Sequence, residues 1–330
     1  MRRTCLAFLL CLAAAFTTTS CGDKGNGDGP KEFTIAVIPK CTSGDFWITV
    51  ERGARDAAKK HSVEMKWQGT LAETEKTEQI RIFESMVNLD VDGISVAPLD
   101  KVMMERPVAG AVERGIPVVI FDSAVNGDKH SSFVATNNVV GGQMAGKTMI
   151  DLLGEGKTRV IVLRFLETGS TEARVKGFIE TVEAAGIKVL ASPYPEGSSP
   201  TDCQRTAEGI LNKYVKDNTL AVDGIFACNL YSAVGMLTAL DGLRDRGVNV
   251  KQTRFIGFDW DKNLVAGIQD GRIDALIVQD PYRMGYLAVE NLVKVLKKQQ
   301  VDKFVDTGAQ LVTKGTLAKD ANLRKLIGAQ

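Results

Sequence analysis

Pro117-Val118-Val119-Ile120-Phe121-Asp122 (PVVIFD) and Arg254-Phe255-Ile256-Gly257-Phe258-Asp259 (RFIGFD) decide how the rest of the chain is read. Each holds an unbroken apolar run that ends on an aspartate. A strand with one wet face alternates apolar and polar residues; a strand buried on both faces of a helix-covered parallel sheet does not. Further strands are read on either side at TIAVIP (34–39), 63–67, GISVAP (93–98), RVIVLR (159–164), 188–191, GIFAC (224–228) and 275–279. Between them the apolar spacing predicts helices over 45–61, 74–88, 102–114, 139–153, 171–185, 201–216, 233–246, 262–270 and 283–298. Asp45 reads as the N-cap of the first, and Pro107 suits an early turn of the third. The βα alternation runs twice, once to Ile-Phe-Asp122 and once to Gly-Phe-Asp259. The repeat is one of architecture, not of sequence. It predicts an α/β protein of two doubly wound parallel-sheet domains, with ligand held outside the carboxyl ends of the strands where the domains face each other.

The chain of 330 residues is large for one core and natural for two. Apolar residues make up 44% and charged residues 25%, as in ordinary globular proteins. Net charge is +1, and without Arg2 and Arg3 about −1, so no basic excess points to a nucleic-acid partner. Two histidines, His61 and His130, and no CxxC or HExxH spacing argue against a metal site, and no cofactor motif stands out. Cys41, Cys203 and Cys228 are too scattered for a disulfide framework and read as buried small apolar residues, with one bridged pair as the alternative in an exported protein.

At the start, Met1-Arg2-Arg3 precedes the apolar run Cys5–Phe16, then Thr17-Thr18-Thr19-Ser20-Cys21. A basic start, a short apolar core and small residues describe a secretory signal, and the run is too short to span a bilayer. The layout resembles a bacterial lipoprotein signal over 1–21, with Cys21 the acylated mature N-terminus. Thr18 departs from the leucine usual three residues before that cysteine, and cleavage after Ala13-Ala14-Ala15 is the alternative. Residues 22–32, rich in Gly and Asp, read as a flexible tether. An exported protein, periplasmic and held to a membrane by a lipid, is expected.

The residues just past the strands share a chemical character. They include Lys40 and Ser43 with Phe46-Trp47, Asp122, Arg174 at a helix start, Asn229 with Tyr231, Phe258-Asp259, and Gln279. Sugar hydroxyls need donors and acceptors such as Asp, Asn, Arg and Gln, and sugar C–H faces need aromatic rings. Each has a plainer reading: aspartates cap helices, and aromatics fill cores. Asp261 is the better cap for the helix after Asp259, and no helix follows Asp122. Phe46 and Trp47 cannot share one helix face, so one of them is expected in the cleft.

Gly141-Gly142-Gln143-Met144-Ala145-Gly146-Lys147-Thr148 matches the phosphate-loop pattern. Such a loop needs a strand running into the first glycine and a helix starting at the lysine. Here the spacing of Val140, Met144 and Met149 carries a helix through the glycines, which then serve close helix packing.

TIAVIPKCTSGDFW, PVVIFDS, ATNNVVGGQMAG, TEARVKGF, GIFACNLYSAVGML, FIGFDW and ALIVQDPYRMG follow one another as in periplasmic sugar-binding proteins of the ribose-binding type, which the chain resembles over about 33–315. The resemblance implies two α/β lobes joined by three hinge crossovers, 33–137 with 280–307 and 138–279 with 308–330. It implies stacking by Phe46, Trp47 and Phe258, and hydroxyl contacts from Lys40, Asp122, Arg174, Asn229, Asp259 and Gln279, with Gln279 next to a hinge. Ser43 and Ser123 complete the candidate site. Ser123 stands where ribose binders carry Arg, and Gly44 where they carry Asn before the aromatic pair, so the fold transfers better than the sugar. The implied function is capture of a monosaccharide, pentose or hexose, by a monomer that closes at the hinge and delivers to an ABC permease with its ATPase. The alternatives keep the fold: a sensor for a chemoreceptor or kinase, or a binder of a nucleoside or small signalling molecule. A repressor would need a helix-turn-helix where the leader stands. A glycosidase would need Asp122 and Asp259 as an acid–base pair, which no neighbouring group favours.

Overall fold

The structure, a computed structural model, describes residues 32–327. The leader, Cys21 and all of the tether but Glu32 lie outside the described residues. The chain runs β1 (Thr34–Ile38), α1 (Asp45–Lys60), β2 (Glu64–Trp67), α2 (Lys76–Asn88), β3 (Gly93–Val96), α3 (Glu105–Glu113), β4 (Val118–Phe121) and β5 (Ser132–Ala135). It continues through α4 (Asn138–Leu153), β6 (Arg159–Leu163), α5 (Gly169–Ala184), β7 (Lys188–Ala191), α6 (Pro200–Asn212), β8 (Val215–Lys216), β9 (Thr219–Leu220), β10 (Gly224–Ala227) and α7 (Leu230–Asp245). Last come β11 (Arg254–Phe258), α8 (Lys262–Asp270), β12 (Ala275–Gln279), α9 (Pro281–Leu296), β13 (Phe304–Asp306), β14 (Ala309–Val312), α10 (Lys314–Lys319) and α11 (Ala321–Leu326).

Two six-stranded sheets result, ordered β13-β5-β4-β3-β1-β2 and β14-β12-β11-β10-β6-β7. Every pairing in them is parallel except β12 with β14. The unbroken apolar strands are explained by cover on both faces. On β1, Ile35 and Val37 pack with α1 and α9 residues such as Val50 and Met284, while Ala36 and Ile38 pack with Ile82, Phe83 and Val108 of α2 and α3. The second sheet is buried in the same way around Val160, Ile161, Phe226 and Ile256.

The chain passes between the sheets three times: from β5 to α4, from β12 to α9, and from β13 to β14. The first and third passages lie side by side. Thr136 and Thr307 hydroxyls meet at 3.2 Å, and Asp306 Oδ1 accepts from the Asn137 and Gly308 amides at 3.0 and 2.8 Å.

Some element ends differ from the sequence expectation. Asp45 is the first residue of α1 rather than its cap; Gly44, at φ 88°, holds the cap position. The helix expected from 102 begins at Glu105, because Asp100 Oδ1 accepts from the Val102 and Met103 amides and folds a turn there first. The helix expected to reach 216 stops at Asn212, and Val215–Lys216 pairs with Thr219–Leu220 as a small hairpin. α4 starts three residues before Gly141, capped by Asn137, so the phosphate-loop pattern lies inside a helix.

Candidate functional site

The two sheets carry their aspartates at equivalent places. In chain order β4 and β11 hold the same rank in their sheets, and Asp122 and Asp259 follow them. Both residues adopt left-handed backbone, at φ 59° and 67°. Each amide donates to the adjoining strand, Asp122 to Val134 at 3.0 Å and Asp259 to Ile277 at 2.7 Å. Positive φ is uncommon outside glycine and is best tolerated by Asn and Asp. Here it turns the carboxylate off the sheet direction and over the strand end. Asp261 caps α8 by accepting from the Leu264 amide at 2.7 Å, which leaves Asp259 free of that duty.

Lys40, Phe46, Trp47, Asp122, Arg174, Asn229, Asp259 and Gln279 line one cavity. Lys40 Nζ lies 2.6 Å from Asp122 Oδ2, and 3.2 Å from Ser170 Oγ at the start of α5. Arg174 Nη1 lies 3.7 Å from Asp259 Oδ2 and donates to the Cys228 carbonyl at 3.1 Å; its Nε donates to Asn138 Oδ1 at 2.7 Å. Gln279 Nε2 donates to Asp259 Oδ1 at 2.7 Å, while its own buried Oε1 has no partner among the described residues. Asn229 spends Oδ1 on capping α7, at 2.9 Å from the Ser232 amide, so only its amide nitrogen is available to a ligand. Burial raises the Asp259 pKa above the usual carboxylate range, against the pull of Arg174. Both aromatics of α1 line the cavity, with ring centroids 5.0 Å apart and planes at 84°.

Three candidates are not among the residues of the cavity wall. Phe258, fully buried, points into the second core; the Arg174 guanidinium sits 4.0 Å from its ring centroid. Neighbouring residues on a strand face opposite sides, so Phe258 carries Arg174 from below while Asp259 reaches the cavity. Ser123 Oγ lies 3.1 Å from Asp122 Oδ2 and donates to Ser170 Oγ at 2.8 Å, linking the loop after β4 to the start of α5. Ser43 offers its carbonyl to the Cys41 thiol and is not a wall residue. The departures at 44 and 123 are filled from elsewhere. A side chain at Gly44 would meet the Tyr231 hydroxyl at 2.7 Å, and the cation beside Asp122 is Lys40.

Glu73, Ser170, Thr171, Leu230 and Tyr231 also line the cavity. Glu73 follows β2, whose loop, like that after β3, contributes none of the residues expected from the sequence. Ser170 and Thr171 stand at the capped start of α5, and Tyr231 is next but one to Asn229. The paired glycines of α4 belong to the site's construction. A Cβ on Gly142 would stand 2.0 Å from the Arg174 carbonyl oxygen, and one on Gly141 3.2 Å from the Phe258 ring. Only bare backbone lets α5 bring Arg174 this close. Among the described residues no cluster of His, Cys, Asp and Glu is placed to hold a metal, and no helix is long and apolar enough to cross a membrane.

A family model described as a periplasmic binding protein domain matches residues 35–300. The ribose import binding protein of Bacillus subtilis (strain 168) is 26% identical over 308 residues, covering 93% of this chain and 96% of its own. The D-allose-binding periplasmic protein of Escherichia coli (strain K12) is 27% identical over 275 residues, 81% and 85% of the two chains. Among solved structures, a carbohydrate transporter solute-binding protein from Agrobacterium radiobacter in complex with D-arabinose has a TM-score of 0.82 at 31% identity, over 91% of this chain and 100% of that one. An ABC transporter solute-binding protein from Agrobacterium vitis with bound D-fucose has a TM-score of 0.82 at 32% identity, over 89% and 99%.

Proposed function

The chain belongs to the periplasmic binding protein family, and on that premise we propose that it captures a monosaccharide for an ABC transporter. The observation that carries this reading is the pair of topologically equivalent aspartates. One comes from each sheet, each stands beside a cation, and both front one cavity walled by Phe46 and Trp47. In this reading Asp122 and Asp259 accept sugar hydroxyls, Lys40, Arg174 and the Asn229 amide donate, and the free Gln279 Oε1 takes a further hydroxyl. Phe46 and Trp47 cover the apolar faces of the ring. Charged hydrogen bonds contribute about 1.5–3 kcal/mol each, so a few of them account for tight binding of a small neutral ligand.

The proposed cycle is a hinge clamp. The lobes are 33–137 with 280–307 and 138–279 with 308–330, turning about the three passages between the sheets. The Lys40–Ser170 and Ser123–Ser170 bonds are made only when the lobes meet. The ligand is released unchanged to a permease. The protein is exported, carries lipid on Cys21 and works as a monomer, since one chain completes the site. Relatives of nearly equal length whose names record ribose, allose, arabinose and fucose support a pentose or hexose ligand.

A thermal-shift screen against pentoses, hexoses, polyols and nucleosides tests the reading, followed by small-angle scattering with the best ligand. A raised melting temperature with one sugar group and a smaller radius of gyration are expected. Stabilisation by nucleosides alone would refute the sugar assignment, and an unchanged scattering profile at saturation would refute the clamp. Mass spectrometry of the native N-terminus checks Cys21, where an unmodified terminus at another residue would refute lipidation.

A further inference from the structure

Glu73 is an acidic wall residue that the recognition scheme above leaves without a role. Resting on that sugar-binding reading, we infer that Glu73 contacts the ligand as a neutral carboxylic acid, one oxygen holding Trp47 and the other donating its proton to a sugar oxygen, so that closure over the ligand takes up one proton from solvent.

The charges in the cavity lead to this. Asp122 has Lys40 at 2.6 Å and Asp259 has Arg174 at 3.7 Å. Among the described residues no Lys, Arg or His nitrogen lies within 4.0 Å of the Glu73 carboxyl. Its hydrogen bond from a described residue comes from the Trp47 indole N–H to Oε1, at 2.8 Å. Glu73 is 9% exposed, and it lines the cavity. The groups around it pull in opposite directions. Lys40, already engaged by Asp122 and Ser170, and Arg174 favour the anion. Asp122 disfavours it, and burial disfavours it most, so the Glu73 pKa lies above the ordinary carboxylate value. The other titratable neighbours, Cys41 and Tyr231, are both held in their neutral forms and supply no countercharge.

A neutral sugar removes water from this wall without bringing a cation. An ionised carboxylate left there would have neither solvent nor partner, the costly arrangement for a buried charge. Taking a proton avoids it and turns an acceptor-only group into a donor. Since Asp122 and Asp259 accept, Glu73 selects ligands that present an acceptor oxygen, a ring oxygen or a hydroxyl lone pair, beside the Trp47 ring. A ligand bearing an ammonium group would instead favour the ionised form.

The sign of the pH dependence follows. The bound, closed form has the raised pKa and the open form the ordinary one. Affinity is therefore full below the ordinary carboxylate range and falls as pH rises through the raised value, with a limiting slope of about tenfold per pH unit for one proton.

The test is calorimetry on the full mature protein with D-ribose, D-allose, D-arabinose, D-fucose and D-glucosamine, in two buffers of different ionisation enthalpy. With the best neutral sugar, proton uptake on binding is expected, with affinity weakening as pH rises above the ordinary carboxylate range. Glu73→Gln keeps the shape, the Trp47 partner and a donor. It is expected to bind that sugar without proton uptake and with a flat pH profile. The proton count on the parent stands even should the variant fold poorly. Binding of a neutral sugar with no proton exchange, a retained slope in Glu73→Gln, or preference of the parent for D-glucosamine overturns the inference and leaves the sugar-binding reading in place. Binding of none of the five overturns both.

Discussion

Replacing Asp259 by asparagine isolates the charge of one recognition group. The backbone at 259 is left-handed, φ 67°, which Asn tolerates and alanine does not. The Gln279 contact at 2.7 Å can be kept by the amide oxygen. What is lost is the charge behind the bonds to sugar hydroxyls. A charged hydrogen bond contributes about 1.5–3 kcal/mol and a neutral one about 0.5–1.5, so each bond loses about 1–1.5 kcal/mol. With two hydroxyls on the carboxylate the loss is about 2–3 kcal/mol, or about 30–150-fold in Kd. The stability of the ligand-free protein should change little. Burial opposes the Asp259 charge while Arg174 and Gln279 support it, so the charge itself adds little to the stability of the ligand-free fold. Arg174 keeps Asn138, the Cys228 carbonyl and the Phe258 ring. Titration calorimetry gives the affinity, and scanning calorimetry without sugar gives the stability. Affinity within about twofold of the parent would mean that the Asp259 charge does not face the ligand, and the assignment of the site from strand ends would fall with it.

Lys40→Met removes the partner of a carboxylate whose side chain is 4% exposed. Breaking such a pair costs about 3–5 kcal/mol, so a lower melting temperature and loss of sugar binding in calorimetry are expected; parental values for both would refute the pairing. Gly142→Ala places a methyl group 2.0 Å from the Arg174 carbonyl oxygen. Thermal melts should fall by about 2–4 °C for each kcal/mol of strain, and unchanged melts would mean that α4 and α5 are not in the described contact. Burial raises the thiol pKa values of Cys41 to about 11 and of Cys203 and Cys228 to about 12. Iodoacetamide at about pH 8 should therefore leave all three unlabelled until denaturant is added, as mass spectrometry would show; rapid native labelling of any of them would refute its burial.

The parts of the fold legible in the sequence are those that depend on local pattern. Strands covered on both faces must be apolar throughout, so PVVIFD and RFIGFD announce a parallel sheet wherever they stand. The aspartates that end them are legible too, because a polar residue closing such a run has lost its apolar surroundings. Less legible is anything that needs a second element. Lys40 reads as a strand-end lysine, and only the sheet order brings it to Asp122. Glu73 sits in a loop without periodicity, and its importance comes from the burial that the other sheet supplies. Phe258 was separable in principle: a strand sends adjacent side chains to opposite faces, so an aspartate that reaches the cavity leaves the phenylalanine before it in the core. The helix start at 102 shifts because Asp100 folds a turn, and the cap expected at Asp45 falls to Gly44, choices that periodicity does not register.

The three passages between the sheets have a consequence for how the protein is made. Helix α9 fills the first core with Met284, Ala288 and Leu292, and β13 forms that sheet's edge. Strand β14 then closes the edge of the second sheet against β12. Both halves thus wait for segments near the chain's end, and neither can be completed while synthesis is still at β12. Contacts of such sequence separation are slow to form. A growing chain therefore carries two unfinished sheets at once, and its final commitment to the folded state comes late, nearly together for both.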